Sequence, residues 1–292
     1  MSYITRCARR VALTVAVLAT AAVTAPAQSL AYVGGVQYAT GSFIFTQRTW
    51  SAYLSNGLSW SSGRVRVSAS IPLVLQPAGW LQYNGSGMMV PTGGLPGGAT
   101  GSPGNTSGMG GAMHGGTITP ASSMPFSGVG LGDPVGRIDV ALSQTDAGRP
   151  SVSLVGAVKA PFADLRSGFG TGKWDVGAGL SSAMSVSGIS VLAEAVYWKI
   201  GNPSGASLRN AVAYALSMGR ALPSSHWSLL GTVSGATSLW TGLEGPVQAG
   251  VGVGYLLESG SSVFVTAAAG LTRTAPAIST GLGWRVPLGR AR

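Results

Sequence analysis

From Val247 to Leu257 the chain alternates without a break. Val247, Ala249, Val251, Val253, Tyr255 and Leu257 take every second position, with Gln248, Gly250, Gly252 and Gly254 between them. Successive side chains of an extended strand point to opposite faces, so this run has one apolar face and one small or polar face. In water the apolar face needs a second sheet to cover it; in a bilayer, lipid covers it. Composition decides between the two. Only 9% of the residues are charged, against about 25% in ordinary soluble domains. The mean hydropathy is +0.33 and glycine numbers 46. That is too little charge for a soluble surface and too much apolar character for disorder. Beyond the N-terminus no apolar run reaches the roughly 18 residues that a membrane helix needs. Backbone in lipid must satisfy its own hydrogen bonds, which leaves a closed β-barrel.

The same period of two recurs along the chain. Trp174, Val176, Ala178, Leu180 and Met184 share a face opposite Lys173, Asp175, Gly177, Gly179 and Ser181. Val65, Val67, Ala69, Ile71, Leu73 and Leu75 oppose Arg64, Arg66, Ser68 and Ser70, while Ile138, Val140 and Leu142 oppose Arg137, Asp139 and Ser143. Ile278, Thr280, Leu282, Trp284 and Val286 oppose Ser279, Gly281, Gly283 and Arg285. These runs predict about 12 strands near 41–48, 50–61, 63–75, 134–143, 151–160, 173–184, 188–200, 208–218, 226–235, 247–257, 262–269 and 277–286. The expected fold is an all-β, transmembrane, antiparallel up-and-down barrel with short turns at one end and longer loops at the other. The first hairpin fits worst, because Gln47 to Thr49 leaves little room for a loop. Trp50, Trp60, Trp174, Tyr197, Trp198, Trp227, Tyr255 and Trp284 fall near predicted strand ends, as interfacial girdles require.

Residues 1–27 read as a signal peptide. Arg6, Arg9 and Arg10 precede the apolar stretch Val11 to Val23, and Ala25-Pro26-Ala27 offers small residues for cleavage before Gln28. The barrel is then expected over 28–292, exported to a bacterial outer membrane. Cys7, the one cysteine, lies in the leader, so the mature chain has no disulfide, thiol nucleophile or cysteine metal ligand. Losing three arginines lowers the formal charge from +10, and the remaining basic residues are scattered. Nucleic acid is therefore not an expected partner. Outer-membrane lipids, the barrel-assembly machinery and a small-molecule solute are.

After the third strand, residues 77–132 interrupt the pattern with Gly93-Gly94-Leu95-Pro96-Gly97-Gly98 and a run of Gly and Met from Gly108 to Gly116. A segment this long reads either as a lid over the lumen or as a surface loop. Met88, Met89, Met109, Met113, Met124 and His114 could ligate a soft metal, but no fixed ligand spacing appears, and no metal site or cofactor is expected. A Ser-His hydrolase would need His114 or His226 held beside a serine and a carboxyl. The outward loops carry Asp133, Asp164 and Glu244 singly, so the chain is not expected to be an enzyme such as an outer-membrane lipase.

Several pieces, in order, carry a family likeness. They are Gly130-Leu131-Gly132-Asp133, Val158-Lys159-Ala160-Pro161, Ser167-Gly168-Phe169-Gly170-Thr171-Gly172-Lys173-Trp174-Asp175, and Leu208-Arg209 after Gly201-Asn202-Pro203. Together they resemble the outer-membrane barrel family associated with the meta-pathway of phenol degradation. The likeness covers most of 130–286 and implies a transporter for a small, hydrophobic or aromatic solute. The insertion has no counterpart in that family's pattern. The competing expectation is a structural or surface-interaction barrel that transports nothing.

On the inward parity, Arg137, Asp139, Lys159, Asp175 and Glu194 fall on adjacent predicted strands. Hairpin geometry sets Lys159 beside Asp175, with Trp198 one position along on the next strand. These six residues are the candidate lumen lining. They form either a charge ladder that orients a permeating solute or a mutually neutralising set that braces the walls.

Overall fold

The computed structural model describes residues 28–42, 48–76, 81–83, 89–91, 128–143, 149–163, 169–202, 208–223, 225–239 and 241–289. Its elements are all strands: β1 (Gln28–Gly41), β2 (Thr49–Ser62), β3 (Val65–Gln76), β4 (Leu81–Tyr83), β5 (Met89–Pro91), β6 (Gly128–Leu131), β7 (Val135–Ala141) and β8 (Ser151–Lys159). There follow β9 (Asp175–Val186), β10 (Ile189–Lys199), β11 (Ala211–Ala221), β12 (Trp227–Ala236), β13 (Val247–Leu256), β14 (Ser262–Gly270) and β15 (Ile278–Pro287). The short strands β4 and β5 pair only with each other.

All the other strands form one ring in which neighbours in sequence are neighbours in space and antiparallel. The ring closes where β1 pairs with β15, from Ala31 opposite Pro287 to Thr40 opposite Ile278. Counting β6 and β7 as one interrupted stave gives twelve staves. A residue of β1 carried once round the ring through the pairing registers returns 14 positions further along β1. With about 4.8 Å between strands and about 3.3 Å per residue, that stagger tilts the strands by about 40° and sets the Cα atoms on a circle of about 12 Å radius.

The alternation now has a physical meaning. Outward side chains are apolar and bare, with Val251 67% exposed, Val265 55%, Leu180 52% and Leu229 49%. Across all the strands of the ring, charge occupies the outward parity only at Lys199, the last residue of β10, and Arg220, the last but one of β11. A surface so depleted of charge, and apolar all round its circumference, is matched to hydrocarbon rather than water. Aromatic rings gather at both ends. Tyr38 stacks against Trp50 at 6.1 Å near one rim, and Trp227 meets Tyr255 edge to face at 4.8 Å near the other. Trp198 departs from the expected girdle: it faces inward and is 5% exposed, because β10 carries its even-numbered side chains inside.

One rim carries tight turns among the described residues. At the β9–β10 turn, Ser187 and Gly188 both take positive φ, 51° and 77°, as a two-residue hairpin with the twist of its strands requires. The other rim carries the long connections.

Two expectations need correction. The first strand is Gln28–Gly41, not 41–48, of which residues 43–47 lie outside the described ones. Inward Ala31, Val33 and Ala39 blur the alternation of that strand, whereas Phe43, Ile44 and Phe45 supply the residue types that strands favour. This shift gives the first hairpin its missing loop. Likewise the interruption after β3 ends sooner than 132, since Gly128–Leu131 already pairs with β3.

The fourth stave also contains a bulge. Leu73 pairs with Leu131 in β6, but Ser70 pairs with Val135 in β7, so three residues, Gly132, Asp133 and Pro134, face two on β3. The extra residue turns both Gly132 and Asp133 inward, a common way to re-aim a side chain.

Candidate functional site

The strands from β7 to β10 line one side of the lumen with charge. At the long-loop end, register places Lys159 of β8 opposite Asp175 of β9 and Val135 of β7. The bulge adds Asp133 beside them. The Lys159 ammonium then lies 3.1 Å from Asp133 Oδ2, 2.9 Å from Asp175 Oδ2 and 2.8 Å from Thr171 Oγ1. All three of its hydrogens are accounted for. The second oxygens of the two carboxylates accept backbone N–H bonds, Asp133 Oδ1 from Ala163 and Asp175 Oδ1 from Gly201. Lys159 is 2% exposed and Asp133 5%. A buried ion set this fully satisfied is a structural knot, and it ties the bulge and two loops to the wall.

The knot holds part of the β8–β9 connection inside the barrel mouth. Ala163 and Phe169 pack with Ala39, Tyr53 and Val74, which belong to β1, β2 and β3. Phe169 lies directly over Gly130, where any Cβ would come within 2.2 Å of its ring. Gly170 is equally confined, between the Ala163 methyl and the Asp133 carboxylate. This connection is therefore one that enters the barrel mouth. Residues 92–127 of the long insertion lie outside the described ones, as do Met109, Met113, Met124 and His114.

Towards the short-turn rim stands a second charged group. The Arg137 guanidinium donates to Asp139 at 2.6 Å and, as a two-pronged fork, to Glu194 at 2.9 and 2.5 Å. To reach Glu194 on β10 it crosses β8 and β9, whose inward residues at that level, Ala157, Gly177 and Gly179, offer no obstruction. These side chains are 26%, 16% and 24% exposed, so they face lumen water as well as one another. Trp198 packs with Val155, Val196 and Ala213, and its indole N–H is buried with no partner among the described residues.

The wall from β11 to β15 carries a different inner face. Ala213, Ala215, Ser217 and Gly219 line β11; Gly250, Gly252 and Gly254 line β13; Gly281 and Gly283 line β15. Within these five strands the one inward charge is Arg285, near the short-turn rim. Phe264 of β14 faces inward and is 46% exposed. It borders two lumenal cavities of about 340 and about 220 Å³.

The six residues singled out from sequence thus lie on one wall and form two groups. Lys159 and Asp175 belong to the buried knot, Arg137, Asp139 and Glu194 to the solvated cluster, and Trp198 packs against Val155, Val196 and Ala213 on the same wall. Sequence reasoning missed Asp133, which it assigned to an outward loop, together with Thr171, Phe169 and Phe264. The family-like motifs did point at the first three, for Gly132-Asp133, Lys159-Ala160-Pro161 and Gly170-Thr171-Gly172 through Asp175 all converge on the knot. His226 sits in the β11–β12 turn with its ring 5.8 Å from that of Tyr255. The Ser225 hydroxyl is engaged locally, donating to the Leu222 carbonyl and accepting from the Trp227 N–H.

No protein-family model matches the chain, and no curated protein matches it either. Solved structures to which it is similar include the CymD monoaromatic hydrocarbon channel, at 12% identity and a TM-score of 0.43, covering 94% of this chain and 92% of that one. The β domain of the Bordetella autotransporter BrkA matches at 14% identity and a TM-score of 0.41, covering 89% and 99%. The outer-membrane channel DcaP of Acinetobacter baumannii matches at 13% identity and a TM-score of 0.37, covering 89% and 96%.

Proposed function

We propose that the chain is a bacterial outer-membrane channel for a small uncharged solute, hydrophobic or aromatic, made with residues 1–27 as a cleaved export signal. The observation that carries this reading is the division of charge by parity. Lipid-facing positions hold charge only at Lys199 and Arg220, while Arg66, Arg137, Asp139, Lys159, Asp175, Glu194 and Arg285 all point inward from the strands. A structural barrel has no need of an inside with cavities and a solvated charged cluster.

The nature of the inside supports the solute class. With Asp133 included, the lumen holds four basic and four acidic side chains, a net charge of zero among the described residues. An ion-selective channel instead lines its path with rings of one sign. The knot around Lys159 braces the inward connection, the Arg137 cluster faces the path, and the β11–β15 wall offers a passing molecule backbone, hydroxyls and a phenyl ring. The likeness to the meta-pathway barrel family points the same way.

Purified protein in planar bilayers and in liposomes tests this. Stepwise conductance is expected, with liposome entry of neutral aromatic alcohols faster than that of benzoate or a sugar of similar size. A barrel that inserts yet neither conducts nor admits any of them would be the non-transporting kind. N-terminal sequencing of the exported protein should begin at Gln28.

A further inference from the structure

We infer that Phe264 and the clearing around it form a binding site for one uncharged, planar ring bearing a hydrogen-bonding substituent, an inference that rests on the lumen being the solute path. Along its level of the barrel, Phe264 has Gly254 on one side and Gly283, then Gly35, on the other. The phenyl ring lies across Gly283, whose Cβ would stand only 2.0 Å from its far end. One face of the ring is thus backed by bare backbone, and the side chain is still 46% exposed.

Space exists on both sides of the ring. The cavity of about 340 Å³ runs from Phe264 over Gly252 and Gly254 to Leu230 and Leu192, and that of about 220 Å³ runs over Gly283 and Gly35 to Tyr53. A single benzene ring needs about 150 Å³, so either space admits one ring beside Phe264. Leu192 adds a further apolar wall, 49% exposed although it faces inward.

The polar groups are few and matched to a neutral ligand. Thr266 and Ser228 place hydroxyls over Gly281 and Gly254, and neither hydroxyl has a protein hydrogen bond among the described residues. Arg220, whose Cβ lies on the outward parity, borders the larger cavity, and no charged residue borders the smaller. An aromatic face with apolar neighbours, two hydroxyls free to donate or accept, and no charged side chain of inward parity bordering either cavity selects against ions. It favours a flat ring that can stack, with offset or edge-on geometry, over a puckered one.

The test is equilibrium binding of radiolabelled phenol and cyclohexanol to refolded protein in detergent, with bilayer conductance recorded on the same preparations. Phenol should bind at least threefold more tightly than cyclohexanol. Phe264→Leu should weaken phenol about fivefold and leave cyclohexanol nearly unchanged. Phe264→Tyr should keep the preference, and Thr266→Val should weaken both alcohols alike. Circular dichroism and heat-dependent gel mobility confirm that each variant is a folded barrel. Phenol bound equally by wild type and Phe264→Leu, or no preference for phenol in the wild type, overturns the site. Should Phe264→Leu fail to fold, the wild-type preference and the Thr266→Val response decide alone. Loss of conductance alone counts against the channel reading and leaves the binding result standing.

Discussion

The wall from β7 to β10 and the wall from β11 to β15 face each other across one lumen, built from the same alternation but filled differently. The first places ions inside and satisfies each with the others, down to the last hydrogen of Lys159. The second carries mostly small side chains and exposes much of its backbone, with Leu230, Phe264 and Arg285 standing out from it. Charge that is spent on its neighbours gives rigidity and little attraction for a passing ion. Glycine gives room, together with a surface that any neutral molecule can slide over. A barrel with both has a fixed side, which anchors the loop in its mouth, and an accommodating side.

The strongest way to break this contrast is to unpair the knot. Lys159→Met leaves Asp133 and Asp175 buried without a counter-charge and should cost about 3–5 kcal/mol, read as a lower urea midpoint for unfolding from liposomes. Combining it with Asp133→Asn and Asp175→Asn should recover most of that loss. If the single variant is as stable as wild type, the knot does not brace the wall.

A smaller effect is expected from packing. At Gly179 a Cβ would stand 2.1 Å from the Ala195 carbonyl oxygen of the neighbouring strand. Gly179→Ala must therefore displace backbone and should destabilise by about 1–3 kcal/mol, whereas Gly231→Ala, with nothing nearer than 4.0 Å, should cost well under that. Gly231 faces lipid and Gly179 the lumen, and equal unfolding midpoints for the two would show that the backbone at Gly179 gives way without cost.

The Arg137 cluster should control selectivity more than stability. Arg137→Gln leaves Asp139 and Glu194 facing the path, so the reversal potential in a KCl gradient should move towards cation preference, roughly twofold or more in permeability ratio, with the shift diminishing at high salt. An unmoved reversal potential would place the current elsewhere. Least of all should happen on the glycine-rich wall, where Thr266→Val replaces by a methyl a hydroxyl with no protein hydrogen bond among the described residues. Its unfolding midpoint is expected within about 0.5 kcal/mol of wild type, and a larger loss would mean that the wall is less accommodating than its glycines suggest.

The period of two made eleven of the staves legible, because lipid demands apolar residues on one face and tolerates almost anything on the other. Where inward residues are also apolar, as at Ala31, Val33 and Ala39, that signal vanished and the first strand was displaced into its own loop. Parity and hairpin register sufficed to set Lys159 beside Asp175. They could not place Asp133, since a bulge resets parity by one and leaves no mark in composition beyond Gly132 and Pro134. Thr171 and Phe169 lie in a connection, where no periodicity says which way a side chain points. Phe264 was hidden for the opposite reason: an aromatic residue in a membrane strand reads as lipid-facing, and only the register of Gly254 and Gly283 turns it inward.

The seam between β1 and β15 has a kinetic consequence. Apart from the junction of β3 with β6 and β7, which spans residues 77–127, every other junction in the ring joins strands that follow one another closely in sequence, so each can zip from its own turn as a hairpin at small entropic cost. Ala31 and Pro287, by contrast, must find each other across almost the whole length of the chain. Hairpin pairing can therefore run ahead of ring closure, and closure sets the pace of assembly. Until it happens, β1 and β15 are two exposed edges, each able to capture the other edge of a second molecule. Dilution, or a surface that keeps those two edges together, should favour single rings over joined molecules.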